Sequence, residues 1–162
     1  MPVTSKLPCD DGQWAGQQCP SIARAAMSGA HFQCGTIRLP TRADHVRTAR
    51  RFTDDLLTRW SLPEENRASV LLVVSELATN AVQHGRVNMA VTVALAGSTL
   101  HVEVADFGEP AAPPYTHCAD ATDEDEHGRG LDIVKSLADH TEILQENGGW
   151  RARAAISISA AC

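Results

Sequence analysis

Three short groups of residues have the types and spacings that chemistry uses. In VLLVVSELATNAVQHG, from Val70 to Gly85, Glu76 and Asn80 stand four positions apart. A helix turns about 100° per residue, so this spacing leaves the two side chains about 40° apart, one turn above the other on one face. So placed, a carboxylate can take a proton from an attacking hydroxyl or water, and a carboxamide oxygen can hold a magnesium ion beside it. Asp106 and Gly108, in DFGEP, are the second group. A buried aspartate accepts from an exocyclic amine such as that of adenine, and a neighbouring glycine lets the backbone pass close to a flat ring. The third group is Gly128, Arg129, Gly130 and Leu131, placed before a helical pattern. Backbone N–H groups at a helix start favour phosphates. Each group also has a plainer origin. Glu76 and Asn80 fit a solvated polar stripe with Ser75, Thr79 and Gln83; DxG occurs in many loops; GxG without a preceding strand is weak evidence for a nucleotide site.

The elements that would position these groups follow from periodicity. Phe32 to Leu39 alternates loosely and stops at Pro40, as an edge strand does. A helix follows, with Thr41 or Asp44 as its cap and Val46, Ala49, Leu56, Leu57 and Trp60 along its apolar stripe. Its arginines, Arg42, Arg47, Arg50, Arg51 and Arg59, suit either a solvated face or a docking surface for an acidic partner or phosphates. The central helix begins near Pro63, where Glu64 and Glu65 complement the helix dipole, and runs to about His84, with Gly85 as its stop. Runs at 88–95 and 99–105 flank AGS, a hairpin signal in which Gly97 can take positive φ. Alternation puts Val87, Met89, Val91 and Val93 on one face, with Leu100, Val102 and Val104 beside them, all covering the central helix. Residues 111–127 are acidic, proline-containing and aperiodic, which predicts a mobile loop. Helical spacing resumes with Leu131, Ile133, Val134, Leu137 and Ala138. A closing hairpin turns at Asn147, Gly148 and Gly149, with Trp150, Ala152, Ala154, Ile156 and Ile158 on one side. Trp14, Trp60 and Trp150 read as packing residues. This order predicts an α+β fold: a two-layer α/β sandwich whose mostly antiparallel mixed sheet carries its helices on one face.

The whole chain narrows the function. Its 162 residues suffice for one sizeable core, and with 4% aromatic residues that core must be aliphatic. Residues 1–31, punctuated by Pro2, Pro8, Gly12, Gly16, Pro20 and Gly29, read as a flexible tail with at most a short helix at Ser21 to Ser28; residues 32–162 are the domain. A net charge of −6 without a basic run argues against direct nucleic-acid binding. Cys9, Cys19, Cys34, Cys118 and Cys162 suggest neither a disulfide framework nor a zinc site. His84 and His127 adjoin the candidate motifs, where either could touch phosphate, and the other histidines lack ligand spacing. No stretch approaches the roughly 18 apolar residues of a membrane span, so the expected setting is cytoplasmic.

ELATNAVQHG, DFGEP and HGRGLDIV, in this order, resemble the N, G1 and G2 boxes of the Bergerat-fold (GHKL) ATP-binding domains shared by gyrase, MutL and histidine kinases. Over roughly residues 35–160 the chain is most similar to the small anti-sigma-factor serine kinases and related short ATP-binding regulators of actinobacteria. The resemblance implies ATP and magnesium as cofactors, Asn80 as metal ligand, Glu76 as catalytic base and Asp106 with Gly108 as adenine readers. It also implies a phosphate-binding segment of His127, Gly128, Arg129, Gly130 and Leu131, and a lid over 109–127. The implied activity is serine/threonine phosphorylation of an anti-anti-sigma partner by a protein that also binds a sigma factor; the alternative is an ATP-binding interaction module with little or no kinase activity. A homodimer is compatible with the resemblance. One departure stands out: Glu109 and Pro110 follow Gly108, where many relatives read DxGxG, and the lid is acidic and rich in proline.

Overall fold

The computed structural model of the protein describes residues 32–110, 124–146 and 149–158, with backbone alone at 110, 124–128 and 146. The elements are β1 (Phe32–Pro40), α1 (Ala43–Arg59), α2 (Glu64–His84), β2 (Arg86–Ala96), β3 (Thr99–Pro110), α3 (Glu124–Leu137), β4 (His140–Glu146) and β5 (Gly149–Ser157). The strands form one sheet in the order β1-β2-β3-β5-β4. Every pairing among the described residues is antiparallel, so the expected two-layer α+β arrangement holds without a mixed sheet. The expected tail at 1–31, with its helix at Ser21 to Ser28, and the loop at 111–123 lie outside the described residues.

Register carries the aliphatic pattern across the sheet. Ile37, Val91, Val104, Ala152 and Ile143 pair in succession as one row, so a single face presents apolar side chains from five strands. Helix α2 lies on that face between α1 and α3. Val70, Val73, Val74, Leu77 and Ala78 form its buried stripe, and Met89, Val91, Val93, Leu100 and Val102 are fully buried beneath it. Val87 departs from the expected alternation and is exposed, because the β2–β3 register shifts between Arg86 and Asn88. The opposite face carries a polar row in which the Thr36 and Thr92 hydroxyls share a 3.0 Å hydrogen bond. In the same row Arg153 Nε donates to Glu103 Oε2 at 2.7 Å.

The helix ends differ instructively from the sequence reading. Neither Thr41 nor Asp44 caps α1, whose N-cap position is Arg42 with no side-chain cap bond. The Thr41 hydroxyl instead donates to the Arg86 carbonyl, tying the end of β1 to the start of β2, while Asp44 accepts from Arg42. At the other end Ser61 takes φ 57, Leu62 N–H returns to the Leu57 carbonyl, and Ser61 N–H returns to Thr58. This is a Schellman closure with a serine in the place glycine usually fills, and Leu62 is buried as its apolar clasp. Arg67 Nη2 then donates to Asp54 at 2.5 Å and fastens α2 to α1. Two further boundaries moved. β3 runs on through DFGEP to Pro110, and α3 starts at Glu124, four residues before Gly128. The acidic types at 124–126 are those a helix start favours. Among the described residues no helix is long and apolar enough to cross a membrane.

Candidate functional site

Where α2, α3 and the β3–β5–β4 side of the sheet meet, the layers leave a cavity of about 220 Å³. Its walls are mostly apolar. Leu77 and Ala81 come from α2, Leu131 from α3, Val104 and Ala152 from the sheet, and Ile143 with Trp150 from the β4–β5 hairpin. Against them stand three polar side chains, Asn80, His84 and Asp106. The ExxxN helix and the DxG strand therefore reach one cavity, which spacing alone does not dictate.

Asp106 is its most informative member. Only 9% of it is exposed. Oδ1 accepts a 2.7 Å hydrogen bond from the Trp150 backbone N–H, whereas Oδ2 is buried with no hydrogen-bond partner among the described residues. A buried carboxylate oxygen left unpaired costs about 1–3 kcal/mol, so this atom is poised for a donor from a ligand. Two glycines make its seat. A Cβ at Gly85 would lie 2.8 Å from Oδ2, and one at Gly149 would lie 2.7 Å from Oδ1. Gly85 thus does more than end α2: its φ of −88 is ordinary, but a Cβ there would meet the Ala81 carbonyl oxygen as well as Asp106 Oδ2, so glycine makes room for both the helix end and the carboxylate.

The α3 motif also arrives where α2 needs it. A Cβ on Gly130 would fall 2.6 Å from Glu76 Oε2 and 3.9 Å from Asn80 Oδ1. Glycine at 130 lets α3 close on the Glu76/Asn80 pair. Glu76 is half-buried beside this contact and is not among the residues lining the cavity, whereas Asn80 is. Leu131 lines the cavity; Arg129 is exposed and does not. His127 and Gly128 belong to the α3 backbone. Because α3 begins at Glu124, Gly128 to Leu131 lie inside the helix rather than at its start, contrary to the expectation from their spacing. Gly108 is not at the cavity wall. Its φ of +93 requires glycine, and its carbonyl accepts from Arg86 Nη1 at 2.6 Å.

Among the described residues no group of three or more His, Cys, Asp or Glu side chains is placed to hold a metal. The donor set instead offers a single amide oxygen, that of Asn80. This suits magnesium, which keeps several waters and takes most of its other ligands from substrate phosphates. Sequence reasoning missed Gly149 and Trp150 as site residues. NGG read as a turn and Trp150 as packing, and only the β3–β5 pairing brings both against Asp106.

The family model of the histidine kinase-like ATPase domain matches residues 39–156. Among solved structures, the RsbU and RsbW domains of Rv1364c from Mycobacterium tuberculosis are similar, with a TM-score of 0.60 at 22% identity. The match covers 80% of this chain and 33% of that one, so the likeness is one of fold to about a third of that chain. No curated protein matches the sequence.

Proposed function

The chain belongs to the histidine kinase-like ATPase domain family, with a two-layer Bergerat-type fold, and from that premise we propose that it is an ATP-binding regulator of the anti-sigma-factor type. In this reading residues 32–162 form one ATP-binding domain that grips a sigma factor and phosphorylates a serine or threonine of an anti-anti-sigma protein. The observation that carries it is Asp106 Oδ2, a buried acceptor with no partner among the described residues, in a mostly apolar cavity. An adenine amine is the donor that such a site fits, and the apolar walls suit the faces of the ring. Asn80 is assigned as the protein's magnesium ligand, and the turn of α3 with His127, Gly128, Arg129 and Gly130 to the triphosphate through the exposed Arg129 side chain rather than through a free helix start, with Leu131 against the base. Magnesium would supply charge neutralisation on the phosphates. Glu76 is assigned the base role: it would take the proton of the partner's hydroxyl as that oxygen bonds to the terminal phosphorus and the bond to the β–γ bridging oxygen breaks, releasing ADP. The partner class rests on the resemblance of the ELATNAVQHG, DFGEP and HGRGLDIV segments to anti-sigma-factor kinases, and the similar structure supports the fold.

One observation favours a second reading. Glu76 is packed against Gly130 and does not line the cavity, so the protein would bind ATP and use it to shape a partner-binding surface, with little or no transfer. Glu76→Gln separates the two. The amide keeps the side chain's shape but cannot act as a base at neutral pH. For a kinase, ATP and partner binding survive while radiolabelled phosphate transfer to the partner falls by about 10²- to 10⁴-fold. For a binding module the parent protein already shows negligible transfer and the variant still captures its target. Transfer at the parental rate would remove Glu76 from the mechanism.

A further inference from the structure

Trp150 stands in an unusual position for one of the three tryptophans of a protein so poor in aromatics. It is 44% exposed, and Ile143, from the adjacent strand, is 41% exposed; both line the cavity that holds Asp106. Large apolar groups left open at the mouth of an apolar cavity are unfavourable until something flat and apolar covers them. The same residue also fixes which oxygen of Asp106 is left for a ligand. Its backbone N–H donates to Asp106 Oδ1, which leaves Oδ2 as the oxygen without a partner among the described residues. Indole and acceptor are thus held in register by one peptide unit, with Gly149 immediately before it leaving room for the carboxylate.

We propose that Trp150 is the aromatic wall on which the nucleotide base lies, and that with Asp106 it sets the preference for a flat, amine-bearing base. The proposal deepens the ATP reading and rests on it. The amine edge of the base meets Oδ2, one ring face meets the indole, and the α2 side chains Leu77 and Ala81 back the site. The triphosphate takes no part in this contact. Trp150 is a binding residue here, and its backbone bond to Asp106 survives any side-chain change, so the two roles can be separated by substitution.

The test uses the full chain, calorimetry with magnesium-ATP and with inorganic triphosphate, and tryptophan fluorescence. ATP should quench the emission of the parent protein. Trp150→Phe, which keeps a stacking face, should bind ATP within about threefold of the parent but lose the quench. Trp150→Ala should bind ATP about five- to tenfold more weakly, the scale of one aromatic contact, with triphosphate binding unchanged. Parental ATP affinity in Trp150→Ala, or a quench that persists in Trp150→Phe, would overturn the stacking role while leaving the ATP reading intact. A parent protein that binds neither ATP nor triphosphate would overturn both.

Discussion

At the scale of single residues the site turns on how one carboxylate is divided between the fold and a ligand. Oδ1 of Asp106 belongs to Trp150 and Oδ2 to whatever enters the cavity. Asp106→Asn should therefore leave the fold intact, since the amide oxygen can still accept from Trp150. It removes a buried, half-satisfied carboxylate, so the denaturation midpoint should hold or rise. Nucleotide binding should suffer: the amide presents N–H groups to the adenine amine, donor against donor, and calorimetry should show ATP weakened by about 1–3 kcal/mol. The loss for GTP should be smaller. Equal losses for the two nucleotides would argue against adenine reading.

At the scale of elements, two glycines test how closely the layers must approach. Gly149 lies against Asp106, where a Cβ would meet Oδ1 at 2.7 Å and the backbone carbonyl at 3.1 Å. Strand β5 cannot retreat from β3 without losing ladder bonds, so Gly149→Ala should lower the urea-unfolding free energy by about 1–3 kcal/mol. Gly130 lies against the mobile end of a glutamate side chain, and its helix gains from alanine by about 1 kcal/mol. Gly130→Ala should leave stability within about 1 kcal/mol of the parent and displace the Glu76 carboxylate. If Glu76 is the base, phosphate transfer falls while stability does not. Two Gly→Ala changes thus part company, one read in the melt and the other in the assay.

At the scale of the whole molecule, pH bears on a face away from the cavity. His101 sits on the helix-free side of the sheet, cross-strand from Ala94 and Ala155, and burial pushes its pKa below the usual 6.5. The folded state therefore takes up this proton less readily than the unfolded chain. Above about 6.5 the histidine is neutral in both states and costs nothing. As pH falls from there to the folded value stability declines, and below it the loss levels off. Asp139 adds a second, lower window. Hydrogen bonds from the Ser157 side chain and from its backbone N–H, the latter 2.6 Å from Oδ2, hold its carboxyl below 3.8, so its contribution is present above that value and is lost as pH falls through the folded pKa. Thermal melts between about pH 7 and pH 5 should show the first decline in the parent protein and a flatter profile in His101→Gln. An identical slope in both would assign the decline to other groups.

The sequence by itself determined the order and kind of the elements, because hydrophobic period, turn residues and helix stops are local signals. Met89, Val91 and Val93 against α2, the hairpin at Gly97 with φ +60, and the end of α2 at His84 were all legible in this way. The motif residues were legible too, as types and spacings with chemical meaning. Tertiary structure decided what each of them faces. A register shift turned Val87 outward, and Thr41 found the Arg86 carbonyl in place of its own helix. The insertion of β5 between β3 and β4 set Trp150 and Gly149 against Asp106, across more than forty residues of chain. The approach of α3 placed Gly130 on Glu76. Such contacts depend on which strand pairs with which and on how closely two layers pack, and neither is written in the neighbourhood of the residues concerned.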